Sequence, residues 1–453
     1  MTTDLVTPGQ LLFSQLQIDL DEVPLEYLAD YAAVEYYLRV EDSPAPDATN
    51  LEKVHNFLEA FHHLCNATDW QRAKEILGIR LNFPTLDTLH IQLHNWGYHA
   101  EQAELYSQLL GKLDSTWDAI YLKGLGTAYY AVGEYHQAIN FYQQYLMVVQ
   151  QEGNRKDEGN ALFNLGCVYE LLGEYDRSIE FYQDSLTIAQ AGGERWEEVM
   201  VLESLGDAYL DLEQYQEAIK FHQQSLAIKK AIGDWRGVGV ALRNLGNAFL
   251  GWENYYEALN LFQESLSICQ EVNDLETKAT VLSGLGNVWF GLGEYEKAID
   301  FQEQSLMIER EIGNLHGELA VLDNLGNIYY CLSDYEKALE FYQLHLVISR
   351  KLKIVQEEGE AMCNLGATLI QLNRNSEGLE FLQKARDIFQ MIGSRYYEAI
   401  TVKNLAVVYQ KLGNYYVALD YCEQALIMAT NFAISLIEEC RELKKELLAQ
   451  MPK

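Results

Sequence analysis

Apolar positions along this chain repeat on two scales at once. In residues 157–193, Leu162, Leu165 and Tyr169 fall at i, i+3 and i+7, a spacing that gathers them on one helical stripe. Gly173-Glu174-Tyr175 interrupts that stripe, and a second follows through Ser178, Phe181, Tyr182, Ser185 and Ala189. Gly192-Gly193 ends the second stripe, as Gly233-Asp234 and Gly313-Asn314 do further on. Glycine suits the left-handed residue that closes a helix, so the pattern predicts helical hairpins.

The hairpin recurs every 40 residues without a slip. Leu-Gly stands at 125, 165, 205, 245, 285, 325 and 365, and Leu405-Ala406 completes eight units. Three residues after the glycine comes a bulky side chain such as Tyr129, Tyr169, Trp289 or Tyr329, and twelve after it a small one such as Ala138, Ser178 or Ala258. Three further on stands Phe141, Phe181, Phe341 or an equivalent. Gly166 and the small residue at 178 predict a close crossing of the two helices. Each hairpin leaves one apolar face bare, so neighbours must stack. The six prolines all lie outside 85–451, which leaves that stretch without the strongest helix breaker.

This Leu-Gly-x-x-Tyr…Ala…Phe signature resembles the tetratricopeptide repeat, lengthened from about 34 residues to 40. Leu245-Gly246-Asn247, Leu285-Gly286-Asn287 and Leu325-Gly326-Asn327 are similar to the repeats of Leu-Gly-Asn (Pins-type) adaptors and of bacterial regulatory arrays. The resemblance covers about 116–430. It implies an all-α, right-handed superhelical solenoid of antiparallel helix pairs whose first helices line a concave surface. The adaptor family's G-protein-binding motifs are not found here, so its biology does not carry over. Fold of this kind also leaves the partner open.

The chain divides on this reading into four parts. Residues 1–50 form an acidic segment and linker, with a helix near 22–40; 51–113 form degenerate hairpins, with helices near 51–65, 69–79, 85–96 and 99–112. That second part resembles the first helices of repeat arrays in bacterial STAND ATPases. The eight regular units occupy 114–430, and 431–453 form a capping helix with Ile434, Ile437, Leu443 and Leu447 on one face. The seventh unit departs most: Asn373-Arg374-Asn375 replaces the usual turn, and Arg386 replaces a leucine present in the other seven.

Charge then narrows the function. A net charge of −34 opposes phosphate neutralisation, so nucleic acid is not an expected partner, nor is an anionic membrane surface. No apolar run approaches a membrane span of ~20 residues, and the first basic residue is Arg39, unlike a signal peptide. Seven cysteines without a CxxC pair read as reduced thiols in a cytoplasmic protein.

Candidate binding chemistry lies on the first helices, in the residues flanking Leu-Gly. Asn164, Asn244, Asn324, Asn364 and Asn404 precede it, while Asp207, Asn247, Asn287 and Asn327 follow it. An amide offers donors and an acceptor, so a ladder of them can hold a partner's backbone; the competing reading is that they satisfy groups of the fold itself. Nearby slots vary, with Glu203 and Asp207 suited to a basic side chain and Arg243 and Lys403 to an acidic one. Catalytic motifs fail: Gly111-Lys112 lacks the rest of a phosphate loop, and His316 with Cys331 sits in a helical repeat rather than beside a sheet. His90, His94 and His99 carry no matching carboxylate for a metal. The sequence therefore predicts no enzyme, cofactor or metal. It predicts a scaffold or adaptor that holds a partner peptide or helix in the concave groove, with a detached regulatory or sensor module as the alternative.

Overall fold

The computed structural model describes residues 7–40, 47–81, 87–429 and 434–451, and among these the regular elements are helices, with one isolated bridge between Arg80 and Thr88. Six α-helices precede the regular repeats: α1 (Pro8–Leu16), α2 (Leu28–Arg39), α3 (Asn50–Asn66), α4 (Trp70–Leu77), α5 (Leu89–Asn95) and α6 (His99–Leu109). Repeats one to four are α7 (Ser115–Ala131) with α8 (Tyr135–Glu152), α9 (Arg155–Leu171) with α10 (Tyr175–Gly192), α11 (Arg195–Asp211) with α12 (Tyr215–Ile232), and α13 (Trp235–Gly251) with α14 (Tyr255–Val272). Repeats five to eight are α15 (Leu275–Gly291) with α16 (Tyr295–Ile312), α17 (Leu315–Cys331) with α18 (Tyr335–Leu352), α19 (Val355–Gln371) with α20 (Asn375–Ile392), and α21 (Arg395–Lys411) with α22 (Tyr415–Ala429), followed by α23 (Ile434–Gln450). Two compact halves, Met1–Phe221 and His222–Lys453, divide the chain within α12.

Local chemistry sets the helix ends. Asp114, Asn154, Asp234, Asp274 and Asn314 each accept a hydrogen bond from the backbone N–H three residues on, capping the first helix of their repeats. Second helices close on a left-handed residue, at φ 69° in Gly153, 71° in Gly193 and 70° in Gly313. The start of repeat seven departs in residue type at both positions. Lys353 takes the left-handed conformation at φ 59° with a β-carbon, and Ile354 stands in the capping position with no side-chain bond to give.

The glycine of Leu-Gly has a different neighbour from the one the sequence suggests. A β-carbon on Gly246 would sit 2.7 Å from the Phe262 ring, and Gly284 receives the same ring from the next repeat, also at 2.7 Å. The glycine thus makes room for the side chain sixteen residues later, Tyr182 over Gly166 and Tyr342 over Gly326 being further cases. In repeat seven the small residue twelve later also matters, since a β-carbon on Gly366 would meet the Gly378 carbonyl at 3.0 Å. The bulky residues three and fifteen after the glycine do meet: Tyr129 stacks on Phe141, Tyr169 on Phe181 and Tyr329 on Phe341, with centroids 5.3, 5.4 and 5.4 Å apart. Such pairs contribute about 0.5–1.5 kcal/mol beyond burial. Ser265 and Ser305 add a tie between helices, each donating to a backbone carbonyl 26 residues earlier, at 2.7 and 2.8 Å.

Before the regular repeats the boundaries shift for stated reasons. Thr7 and Gln10 form a capping box, with Pro8 at the first turn, and start α1 inside the segment read as acidic linker. The helix expected from 22 begins at Leu28 instead. Pro24 disfavours helical backbone before it, Leu20–Glu22 is a single 3₁₀ turn, and Leu25 is exposed. The 85–96 and 99–112 helices are Leu89–Asn95 and His99–Leu109, the latter ending before Gly111 at φ 72°. Arg72 ties this region together, donating from Nε to the Leu16 carbonyl at 2.7 Å. Of the linker expected at 41–50, residues 41–46 lie outside the described residues, and α3 begins at Asn50. In α23 the buried stripe is Leu436, Cys440, Leu443 and Leu447, with Ile437 at its edge; the Ile434 side chain lies outside the description. No described helix is long and apolar enough to cross a membrane.

Candidate functional site

The two asparagine slots turn out to be parts of two bonding networks. From the slot before Leu-Gly, Asn324 Nδ2 donates to Ser283 Oγ at 3.3 Å, Asn364 Nδ2 to Asp323 Oδ1 at 2.9 Å, and Asn404 Nδ2 to Cys363 Sγ at 3.5 Å. Donor and acceptor are 41 residues apart each time, so these amides bond successive first helices. From the slot after Leu-Gly, Asn287 Oδ1 accepts from Gln302 Nε2 and Asn327 Oδ1 from the Tyr342 hydroxyl, both at 2.7 Å. Those bonds join the two helices of one repeat. Each net bond contributes about 0.5–1.5 kcal/mol, so the ladder stabilises the stack, and each amide keeps further bonding capacity.

The remaining candidates divide. Asn247 is exposed, Asn164 half-buried, and Asn244 buried with its Oδ1 accepting from Arg243 Nη2 at 2.8 Å. Arg243 therefore has an internal partner, and so has Lys403, whose Nζ pairs with Glu439 at 2.7 Å. Glu203 is half-buried and Asp207 exposed, both in the N-terminal half.

In the C-terminal half, Asn247, Asn287 and Asn324 share one cleft of about 420 Å³ with Asp323, Glu309, Glu357 and Glu360. His345, 1 % exposed, backs two of these lining residues, with Nε2 2.9 Å from Glu357 and Nδ1 3.8 Å from Asp323. Burial pushes the Asp323, Glu360 and Glu309 carboxyls above their ordinary range, while the His345 hydrogen bond holds Glu357 below its own. The N-terminal half carries a contrasting cleft of about 320 Å³ between repeats two and three, lined by Phe163, Ile188, Met200 and Val201. Lys156 bridges its rim, 2.9 Å from Glu197 and 3.4 Å from Glu194.

Of the acidic cleft, sequence reasoning named the amides and missed Glu309, Glu357, Glu360 and His345. A signal existed in the register. Position 345 corresponds to Ser185, Ser265 and Ser305, so His345 puts a titratable group where those repeats keep a small side chain, and position 309 corresponds to Val149, Ala189, Cys269 and Phe389, although repeat three also places a charge there, Lys229. The catalytic candidates do not assemble. His316 and Cys331 lie near opposite ends of α17, ~22 Å apart at 1.5 Å per residue, and burial pushes the Cys331 thiol up. His90 Nδ1 bonds the Tyr106 hydroxyl at 2.7 Å, and among the described residues no three His, Cys, Asp or Glu are grouped to hold a metal.

Comparison with known proteins agrees on the scaffold. No curated protein matches the chain. The quorum sensor NprR of B. thuringiensis, in its apo form, is 16 % identical, with TM-score 0.53 over 84 % of this chain and 100 % of that one. Aspartyl phosphate phosphatase F of Bacillus subtilis is 13 % identical, with TM-score 0.52 over 86 % and 97 %. A STAND signal-transduction ATPase with a tetratricopeptide repeat sensor, from Pyrococcus horikoshii, is 17 % identical, with TM-score 0.51 over 98 % and 75 %. The tetratricopeptide repeat model matches residues 118–191, 197–271, 277–351 and 357–431, in step with the helix pairs. Those four matches cover more than half of the sequence, and the chain belongs to the tetratricopeptide repeat family.

Proposed function

We propose that this protein is an interaction adaptor that holds a segment of a partner protein along the first helices of repeats four to seven. The observation that carries the reading is the cleft in which Asn247, Asn287 and Asn324 converge with one buried carboxylate, Glu309, and three half-buried ones. Amides at that spacing can bond a peptide backbone without requiring a particular side chain, and the variable slots between them select the sequence. A second reading, a regulatory module, draws on the same cleft: a ligand that relieves its unpaired charge would tighten the repeats around it, coupling occupancy to the stack.

The test is a partner captured from native extract and identified, then measured by calorimetry against N287A/N324A/N327A. Loss of those side chains removes three amides from two adjacent repeats, and at about 0.5–1.5 kcal/mol each the partner should bind roughly tenfold to a thousandfold more weakly. Helicity should hold, since alanine is the better helix former. The melting temperature should fall by a few degrees, because all three amides also serve the stack. Unchanged affinity, with loss instead on charge reversal of the turn residues Glu174 and Glu294, would move the binding surface off the first helices.

A further inference from the structure

The acidic cleft lacks a pairing found at several other repeat junctions. There a carboxylate has an arginine: Arg155 pairs with Glu158 at 2.6 Å, Arg236 with Asp274 at 2.9 Å, Arg310 with Glu318 at 2.6 Å and Arg350 with Glu358 at 2.8 Å. Among the described residues, no lysine or arginine pairs with Glu309, Asp323, Glu357 or Glu360; the basic partner present is His345. A carboxylate cluster alone says little, but Glu309 adds an independent fact. It is 1 % exposed, it lines the cleft, and its Oε2 has no hydrogen-bond partner. The carboxylate occupies space that a side chain at residue 317 would fill, and Gly317 leaves it open. A buried carboxylate oxygen without a donor is costly to the folded protein, and the group that would satisfy it is a cation with N–H donors.

We infer that this cleft is a receptor for one cationic side chain of the bound segment, an arginine guanidinium or a lysine ammonium. The inference rests on the adaptor reading and names the chemistry of its ligand. The cation enters between α16, α17 and α19, bonding Glu309 at the floor and Glu360 and Asp323 at the wall, while His345 keeps Glu357. The neighbouring amides of Asn287 and Asn324 hold the flanking backbone. The charged and titratable groups facing the site are these four carboxylates, His345, His316 near Glu357, Glu276 near Glu309, Tyr397 bonded to Glu360, and Arg243, which is tied to Asn244 and reaches Thr280 at the rim at 3.5 Å. Carboxyls raised by burial lose their protons more readily when a cation arrives, so binding strengthens as pH rises from acid to neutral.

The test uses the full chain and two small probes, N-acetyl-arginine methylamide and its uncharged citrulline analogue, titrated at physiological salt against methyl-labelled protein. The arginine probe should give saturable shifts at Ala320 and Val321, which line the cleft. The citrulline probe should bind at least tenfold more weakly, and E309Q/E360Q should lose the arginine response by at least tenfold. E360Q alone, at a half-buried wall position, provides a milder variant, and its distant methyl spectrum reports that the fold is intact. The control E296Q/E303Q removes the same charge from exposed positions on α16 and should leave binding within twofold. Equal binding of both probes, or equal loss in the control, would overturn the cation receptor and reduce the effect to general attraction by an acidic protein. That failure is distinct from failure of the adaptor reading, which shows as a captured partner indifferent to N287A/N324A/N327A.

Discussion

The apolar cleft of repeats two and three and the acidic cleft of repeats four to seven share some equivalent lining positions, 160 residues apart, with contrasting chemistry. Phe163 becomes Asp323, Met200 becomes Glu360, and Ser185, which donates to the Gly159 carbonyl at 2.9 Å, becomes His345. Around them little changes: Leu165 and Leu325 are fully buried, Tyr169 and Tyr329 stack on Phe181 and Phe341, and Tyr182 and Tyr342 cover Gly166 and Gly326. The lesson is a division of labour within 40 residues. The stripe that packs tolerates little, whereas the slots beside Leu-Gly can change from apolar to acidic without moving a helix. One cleft suits an apolar side chain and the other a charged one.

The strongest way to break the comparison is to attack the shared stripe. Gly166→Leu and Gly326→Leu should each cost about 3 kcal/mol or more, because the added side chain must displace a buried tyrosine ring. Equal costs, read from hydrogen exchange in the affected repeat and its neighbours, are expected if scaffold and cleft are separable. The same change at Gly286 should cost less. There the side chain across is Gln302, whose flexible end can move, whereas at Gly246 it is the Phe262 ring held between two glycines. A larger loss at Gly286 than at Gly246 would refute this account of why the glycine is there.

A smaller effect sharpens the contrast at the floor of repeat seven. Ile354→Asp should restore the cap that Asn154 and Asn314 provide at the same position, gaining about 1 kcal/mol. Lys353→Gly should relieve a left-handed β-carbon and gain up to about 1 kcal/mol. Thermal unfolding of the two single variants and the pair checks both values. No gain at either position would mean that repeat seven is held by contacts other than its helix ends.

These positions also show what the sequence could and could not disclose. The 40-residue register made the helix pairs and their left-handed closures readable, because both depend on neighbours within one repeat. The Asn ladder was readable as a row but not as a set of bonds. Asn364 reaching Asp323 is a contact between repeats, fixed by how helices pack rather than by spacing along one helix. Glu309 and His345 stand at the stripe positions of Ala189 and Ser185, but the groups they meet belong to neighbouring helices and repeats, which spacing along one helix does not give. The start of α1 was a plain omission, since Thr7-Pro8 followed by Gln10 is a helix-start signal legible in the chain.

The smallest expected effect compares the two clefts by pH, and its sign is the informative part. Burial raises the folded-state pKa of Glu309, so its contribution to stability is fully present below the unfolded carboxylate value and is lost as pH rises through the raised one. E309Q should therefore be more stable than the parent at neutral pH, with the difference fading as pH falls into the ordinary carboxylate range. Glu197, on the rim of the apolar cleft, behaves oppositely. The hydrogen bond from Lys156 lowers its pKa, so its contribution is present above the ordinary value and is lost as pH falls through the lowered one. E197Q should be slightly less stable than the parent at neutral pH, again converging in acid, and the exposed pair should make this difference small. Melting temperatures of both variants against the parent from pH 4 to pH 8 give two curves that separate in opposite directions from a common start. Raised carboxyls also occur in the N-terminal half, at Glu170 and Asp211, which is why the comparison is made by single variants rather than by halves. If E309Q instead loses stability at neutral pH, the buried carboxylate has a donor, and the acidic cleft is a finished part of the fold rather than a site awaiting a cation.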